Sequence, residues 1–134
     1  MNKAIITIFV ILLVSCVSQQ HTSNSKRIPV QPSYIIEKIV SNNNLKDKSS
    51  FSGQVVDAVT NEGLSNATVL FSDNIFKSGT ECDLNGNFEV KATKEGYYKV
   101  QVSFVGYNTF TIDSLFLEKG TNTFIKIAMT DVIL

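Results

Sequence analysis

The sequence predicts an all-β protein, a small antiparallel β-sandwich of about seven strands that follows a signal peptide and a flexible tether. From Phe51 onward, apolar and polar residues alternate with a period of two, and no helical stripe interrupts them. Turn residues recur about every ten positions in the same part of the chain, as in sandwiches. A third observation, an apolar run that ends at Cys16, predicts how the chain is exported.

The first element, residues 1–15, is predicted to be a signal peptide. Its basic start reads Met-Asn-Lys, and residues 4–14 are apolar except for Thr7. A bilayer span needs about 20 apolar residues, so this run is too short to cross a membrane. Residues 13–16 read Leu-Val-Ser-Cys and resemble the bacterial lipoprotein box. The resemblance implies that Cys16 carries a lipid and becomes the mature N-terminus; the alternative is an ordinary secretory signal with an incidental cysteine.

The predicted lipid makes the membrane a partner of the chain. One acyl chain anchors a protein marginally, whereas two or more hold it firmly, and lipoproteins carry a diacylglyceryl group on the cysteine. Residues 17–20 lack the early aspartate that retains some lipoproteins at the inner membrane. They also lack the acidic cluster that resembles the surface-export signal of Bacteroidetes lipoproteins. We therefore expect the outer membrane, with the protein facing the periplasm.

The second element, residues 16–50, is predicted to be the lipidated N-terminus and a flexible linker. It is rich in Ser, Asn, Gln and Lys and holds both prolines, so it buries too little apolar surface to offset its ordering entropy. Its one apolar cluster, residues 34–40, predicts either a short helix or an added strand. The 12 basic and 12 acidic residues of the chain cancel, which leaves no basic field for nucleic acid.

The third element, residues 51–134, is the predicted sandwich. The alternation places one face of each strand on a core and the other in water. The core positions that it assigns are Ala67, Val69, Phe71, Phe88, Val90, Ala92, Tyr98, Val100, Val102, Phe104, Ile125, Ile127 and Met129. Asp83, Asn85 and Gly86 indicate a type I turn closed by a left-handed residue, and residues 60–63 have the same layout. Gly106 is predicted to bend the chain between two aromatic residues.

The turns and strands together resemble a known family. The residues that carry the pattern are Gly53, Val55, Asp57, Thr60, Gly63, Leu64, Ala67, Val69, Gly79, Thr80, Asp83, Gly86, Phe88, Gly96, Tyr97, Tyr98, Val100, Val102 and residues 103–107. In this order they resemble the carboxypeptidase regulatory-like domain, which is common in Bacteroidetes envelope proteins. The resemblance covers residues 51 to about 131 and implies a transthyretin-like sandwich of seven strands. Related domains often precede a transporter or accompany a peptidase, whereas this chain is expected to be the domain alone on its tether. The family usually has Thr at the position of Cys82.

The sequence predicts no catalysis, no metal and no cofactor. The one histidine, His21, lies in the predicted tether, so residues 51–134 cannot form a Ser-His-Asp or Cys-His arrangement or a Cys/His metal site. Asp83, Asn85 and Asn87 resemble the start of a calcium loop, but its sixth-position glycine and twelfth-position glutamate are missing, which favours a turn. With Cys16 lipidated, Cys82 has no partner for a disulfide; we expect a small buried hydrophobe, with pairing between chains as the alternative.

These observations favour a non-enzymatic envelope lipoprotein, a membrane-tethered module for protein–protein interaction or structural support, whose expected partner is another envelope protein. The alternative is a carbohydrate-binding module, because aromatic residues are concentrated near residues 97–110. Tyr97 and Tyr107 are the aromatics predicted to be exposed and to contact a glycan or a partner. Residues 113–115 read Asp-Ser-Leu, which resembles an O-glycosylation motif of Bacteroidetes and makes Ser114 the candidate acceptor.

Overall fold

The computed structural model describes residues 30–132, apart from the side chains of residues 38, 91 and 92. The predicted signal peptide, Cys16 and His21 lie outside the described residues. The strands are β1 (Ser33–Ser41), β2 (Lys48–Asp57), β3 (Thr68–Ser72), β4 (Lys77–Glu81), β5 (Asn87–Lys94), β6 (Gly96–Ser103), β7 (Phe110–Leu117) and β8 (Thr121–Met129). Within residues 30–132, no helix is long and apolar enough to span a membrane.

Two four-stranded sheets form the predicted sandwich. Sheet A has the strand order β1-β8-β2-β5, and sheet B has the order β4-β3-β6-β7. Neighbouring strands are antiparallel except for β2 and β8, which are parallel. The fold class is therefore as predicted, with eight strands instead of about seven and one parallel pair. A parallel pair requires a long crossover, and β3 to β7 supply it.

The core lies where the alternation places it. The predicted core positions are buried, except that Phe104 is half-buried and the side chain of residue 92 is not described. Phe51 is fully buried at the centre, with its ring centroid 5.4 Å from that of Phe71 and 5.8 Å from that of Phe88. Both contacts are edge-to-face, the arrangement that aromatic rings prefer.

Strand β7 departs from simple alternation. Its buried residues are Ile112, Leu115 and Leu117, so the first interval is three residues and the second is two. The pairing of β6 with β7 shifts register at this point, because an extra residue of β7 bulges out of the ladder. The bulge keeps all three apolar side chains on the core.

The predicted linker contributes a strand. Residues 33–41 form β1, which pairs antiparallel with β8, so the apolar cluster of residues 34–40 is the added strand and not the helix. Strand β2 also begins before residue 51, and Ser49 within it is buried. Its hydroxyl lies 3.0 Å from the Thr93 hydroxyl and donates to the Lys94 carbonyl at 3.1 Å. Because β8 would otherwise be a sheet edge, pairing with β1 satisfies its backbone groups.

Candidate binding surfaces

Asp57 organises the turn after β2. Its Oδ1 accepts hydrogen bonds from the backbone N–H groups of Val59 and Thr60, both at 2.7 Å. Its Oδ2 accepts the hydroxyl of Tyr107 at 2.7 Å. The Thr60 N–H and then the Tyr107 hydroxyl stabilise the carboxylate and lower its pKa below the ordinary value of 3.8.

Tyr107 therefore has a structural contact at the position predicted for ligand contact. The hydrogen bond to Asp57, and next the partial burial of the phenol, raise the pKa of Tyr107 to about 12. Its ring is half-buried and packs on Phe104 with centroids 5.4 Å apart. Gly106, immediately before it, has φ +83° and accepts the Val132 N–H through its carbonyl. The hydrogen bond from Tyr107 to Asp57 joins the loop after β6 to the turn after β2.

The turn before β5 has a similar cap. Asp83 Oδ1 accepts the N–H groups of Asn85 and Asn87, both at 2.9 Å, and these bonds lower the pKa of Asp83. Gly86 has φ +79°, which suits glycine. A Cβ on Gly86 would clash with the Val55 carbonyl oxygen. Among the described residues, no group of three potential metal-ligating side chains is found.

The expectation that Gly63 closes residues 60–63 in a left-handed conformation is wrong. Asn61 has the left-handed conformation, with φ 62°, whereas Gly63 does not. Gly63 is required for a different reason, since a Cβ there would clash with the carbonyl group of Asn85. The two turns thus touch, and we call the set Asp57, Gly63, Asp83, Gly86 and Tyr107 the turn junction.

Tyr97 lies on the outer face of sheet B, away from Tyr107. Its side chain is 67% exposed, and its ring centroid is 4.9 Å from that of Phe116 on β7. Tyr97 lies near the start of β6 and Tyr107 beyond its end, and the intervening strand spans about 20 Å. The structure therefore does not bring the two predicted contact residues together. Phe116 was missed because the bulge in β7 hides its alternation.

Ser114, the predicted O-glycosylation acceptor, is exposed in the bulge of β7, an edge strand of sheet B. Its neighbour Asp113 forms a surface ion pair with Lys99 at 3.6 Å.

Cys82 is 3% exposed in the core, and burial raises the pKa of its thiol to about 11. The prediction of a buried, hydrophobe-like cysteine is confirmed.

The β1 edge, residues 33–41, carries five large apolar residues that are exposed. Opposite residues of antiparallel strands point to the same face of a sheet. Tyr34, Ile36 and Ile39 oppose buried residues of β8, so they lie on the inner face of sheet A. These three are nevertheless 42%, 43% and 57% exposed, while Ile35 and Val40 on the outer face are 62% and 40% exposed. Soluble proteins usually cover or charge such an edge.

Comparison with known families identifies the domain. Residues 51–133 match the CarboxypepD_reg-like domain, and the chain belongs to that family. This confirms the resemblance found in the motifs. A comparison with curated protein sequences finds no match.

Solved structures share the fold at low sequence identity. They include 3-chlorocatechol 1,2-dioxygenase from Rhodococcus opacus, with TM-score 0.51, 13% identity, and 65% of this chain and 61% of that chain covered. A protein from Bacteroides uniformis, provisionally described as carbohydrate-binding, has TM-score 0.54 and 12% identity over 63% and 41%. The pilus 2b backbone protein of group B streptococcus has TM-score 0.51 and 11% identity over 63% and 41%. The aligned part is thus less than two thirds of each structure, and the likeness concerns the fold alone.

Proposed function

We propose that this protein is a non-enzymatic, membrane-tethered module of the cell envelope that binds a protein partner. The lipid would be attached to Cys16, and the chain would face the periplasm from the outer membrane. The lipoprotein-like sequence before Cys16 supports the anchor. Membership of the CarboxypepD_reg-like family supports a β-sandwich module in place of an enzyme.

The observation that carries the proposal is the open β1 edge. Its outward backbone groups form a template for another strand, and its apolar side chains are exposed on both faces. Strand addition uses these two features, since main-chain hydrogen bonds give affinity and the side chains give specificity. The partner is therefore expected to contribute an extended, apolar segment.

In-cell crosslinking of the tagged full-length protein, followed by mass spectrometry, tests this proposal. The variant Ile35→Lys should lose the partner because it places a charge on the edge. Ile75→Lys is the matched control, since Ile75 is 97% exposed in the loop between β3 and β4. Equal recovery from both variants would contradict binding at β1.

The anchor has a separate test. Metabolic labelling with a fatty acid such as palmitate should label the wild-type protein and leave Cys16→Ala unlabelled. In fractionated cells, the wild type should sediment with outer membranes and the variant should be released. Protease added to intact cells should leave the protein undigested if it faces the periplasm.

A carbohydrate-binding module is the second candidate. The Tyr97–Phe116 pair presents aromatic surface on the outer face of sheet B, next to the polar Lys99 and Asp113, and pyranose rings stack on such surfaces. Affinity electrophoresis in polysaccharide gels should show retention that Tyr97→Ala and Phe116→Ala abolish. Tyr107→Phe is the control that should keep it.

Ser114 remains the proposed O-glycosylation acceptor. Its exposure on an edge strand supports access by a transferase. Intact-mass measurement of protein from the native host should show a glycan that Ser114→Ala removes. An unmodified wild-type mass would overturn this assignment.

A further inference from the structure

Exposed aliphatic residues lie at the loop tips of one end of the sandwich. The even-numbered strands end there and the odd-numbered strands begin there, so their loops meet around the turn junction. We call this the junction end, and its loops are residues 58–67, 82–86, 104–109 and 130–132. Val59, Leu84 and Val105, one in each of the first three loops, are 73%, 85% and 92% exposed.

Contacts within the domain hold these three loops in place. In the first loop, Asp57 accepts the N–H of Val59 at 2.7 Å. In the second, Asp83 accepts the N–H of Asn85 at 2.9 Å. The third loop is joined to the first by the hydroxyl of Tyr107, which donates to Asp57 at 2.7 Å. Because the loops are already ordered, little conformational entropy is lost when their tips bind a partner.

The predicted tether reaches the domain at the same end. Strand β1 begins at Ser33, which lies opposite Ala128 near the end of β8. Residues 16–30 therefore connect the proposed lipid on Cys16 to the junction end. A flexible linker of this length has an r.m.s. end-to-end distance of about 20 Å. The anchor would thus keep the junction end close to the bilayer.

We propose that the junction end docks on the membrane that holds the anchor, with Val59, Leu84 and Val105 inserted at the boundary between head groups and acyl chains. The binding free energy of such an insertion scales with the apolar area that the bilayer buries. The inference rests on the proposed function, whose lipid anchor it extends to a fixed orientation of the domain. In that orientation the strands stand upright on the membrane, and the β1 edge stays open to a partner strand.

The opposite end of the sandwich is unsuited to the same contact. Its exposed large apolar residues, Ile75 and Phe76, belong to a single loop. The other loops there are residues 42–47, 95 and 118–120. The charged residues of this end are Lys46, Asp47, Asp73, Glu95, Glu118 and Lys119. Burial of these charges against acyl chains would cost free energy, so docking is assigned to the junction end.

The charges of the junction end favour zwitterionic lipids. Its loops contain no Lys or Arg, and their acidic residues are Glu62, Asp83 and Asp131. Basic residues supply the attraction that holds peripheral proteins on anionic lipids. Docking here depends instead on the aliphatic side chains, and anionic lipid should weaken it.

Tryptophan fluorescence tests the docking, because the chain contains no tryptophan of its own. The lipidated protein carrying Leu84→Trp, Val105→Trp or Ile75→Trp is reconstituted in phosphatidylcholine vesicles whose acyl chains bear a nitroxide quencher. Leu84→Trp and Val105→Trp should be quenched and shifted to shorter wavelength. Ile75→Trp should be unaffected, since the strands separate it from the junction end by about 25 Å. Added phosphatidylglycerol should reduce the quenching at both junction-end positions.

Removal of the aliphatic side chains measures their contribution. With Leu84→Trp as the reporter, Val59→Ser and Val105→Ser should each lower the ratio of docked to undocked protein about tenfold, because each removes an apolar side chain that the bilayer would bury. Ile75→Ser is the matched control and should leave the ratio unchanged. Circular dichroism should show that all variants are folded. Equal quenching of the three tryptophan reporters, or quenching unchanged by the serine variants, would overturn docking.

Fatty-acid labelling of the same preparations separates docking from the anchor. Labelled protein with an unquenched Leu84→Trp overturns docking and leaves the anchor on Cys16 standing. Unlabelled protein overturns the anchor, and docking is then decided by the same quenching after the protein is mixed with vesicles. Crosslinking of position 84 to an envelope protein, together with an unquenched tryptophan, would assign the junction end to a protein and overturn docking.

Discussion

The turn junction and the β1 edge differ in how far contacts within the chain satisfy their residues. At the junction, Asp57 and Asp83 cap their turns, and glycines at 63 and 86 let the two turns approach. At the β1 edge, large apolar residues remain 40–62% exposed on both faces. The turn junction is held by contacts within the chain, whereas the β1 edge has exposed apolar side chains and backbone groups that a partner could contact.

This difference separates residues that fix the fold from residues that are available for binding. The junction tolerates little change because its backbone segments are in close contact. The edge contributes less to folding, since exposed apolar area gains its hydrophobic free energy of about 25 cal/mol per Å² only when a partner buries it. The predictions below therefore run from the junction to the edge, in order of decreasing effect on stability.

Gly86→Ala should have the largest effect. Its left-handed φ alone costs an alanine about 1–2 kcal/mol, and the new Cβ would clash with the Val55 carbonyl oxygen. We expect the free energy of unfolding to fall by more than about 2 kcal/mol, because the backbone must shift as well. Urea unfolding followed by circular dichroism measures it.

Gly106→Ala is the matched control for that prediction. Gly106 has a similar φ of +83°, but a Cβ there would have no heavy atom within 4 Å, apart from its chain neighbours. The free energy of unfolding of Gly106→Ala should therefore fall only by the cost of placing alanine at a left-handed φ, about 1–2 kcal/mol. Equal destabilisation by the two variants would show that the close approach of the turns is unimportant.

Tyr107→Phe should come next, with a loss of about 1 kcal/mol. The variant keeps the ring on Phe104 and removes only the hydroxyl that donates to Asp57. Tyr97→Phe is the control, and at this exposed ring the free energy of unfolding should change by less than about 0.5 kcal/mol. Similar effects of the two variants would show that the Tyr107 hydroxyl does not stabilise the turn junction.

The same hydrogen bond predicts a pH dependence with two limits. The pKa of Asp57 is lowered in the folded state, so its stabilisation is complete above the ordinary 3.8 and is lost as the pH falls through the folded value. The pKa of Tyr107 is raised from 10.0 to about 12, so its contribution is complete below pH 10 and is lost as the pH rises toward 12. Melting curves across pH should therefore show the greatest difference between wild type and Tyr107→Phe from about pH 4 to 10. A constant difference at all pH values would contradict the assignment.

The sequence predicted what depends on local pattern. Alternation placed the core, and the spacing of Asp83 and Gly86 predicted a turn that the structure contains. It could not place features that depend on distant segments. The need for Gly63 comes from Asn85, and the pairing of β1 comes from β8, whose residues lie 80 or more positions away from their β1 partners in the chain. A bulge defeats alternation in the same way, which is why Phe116 went unrecognised as the neighbour of Tyr97.

Ile35→Lys should have the smallest effect on stability, although it is expected to have a large effect on binding. Ile35 is 62% exposed on an edge strand, so the free energy of unfolding should change by less than about 0.5 kcal/mol, as for Ile75→Lys. Ile125→Lys, at a fully buried position of β8, should by contrast prevent folding. If Ile35→Lys unfolds the domain, the β1 edge belongs to the stable core and lost crosslinking has a trivial cause. If the domain stays folded while the partner is lost, the exposed apolar residues of β1 serve association, because they are then dispensable for the fold.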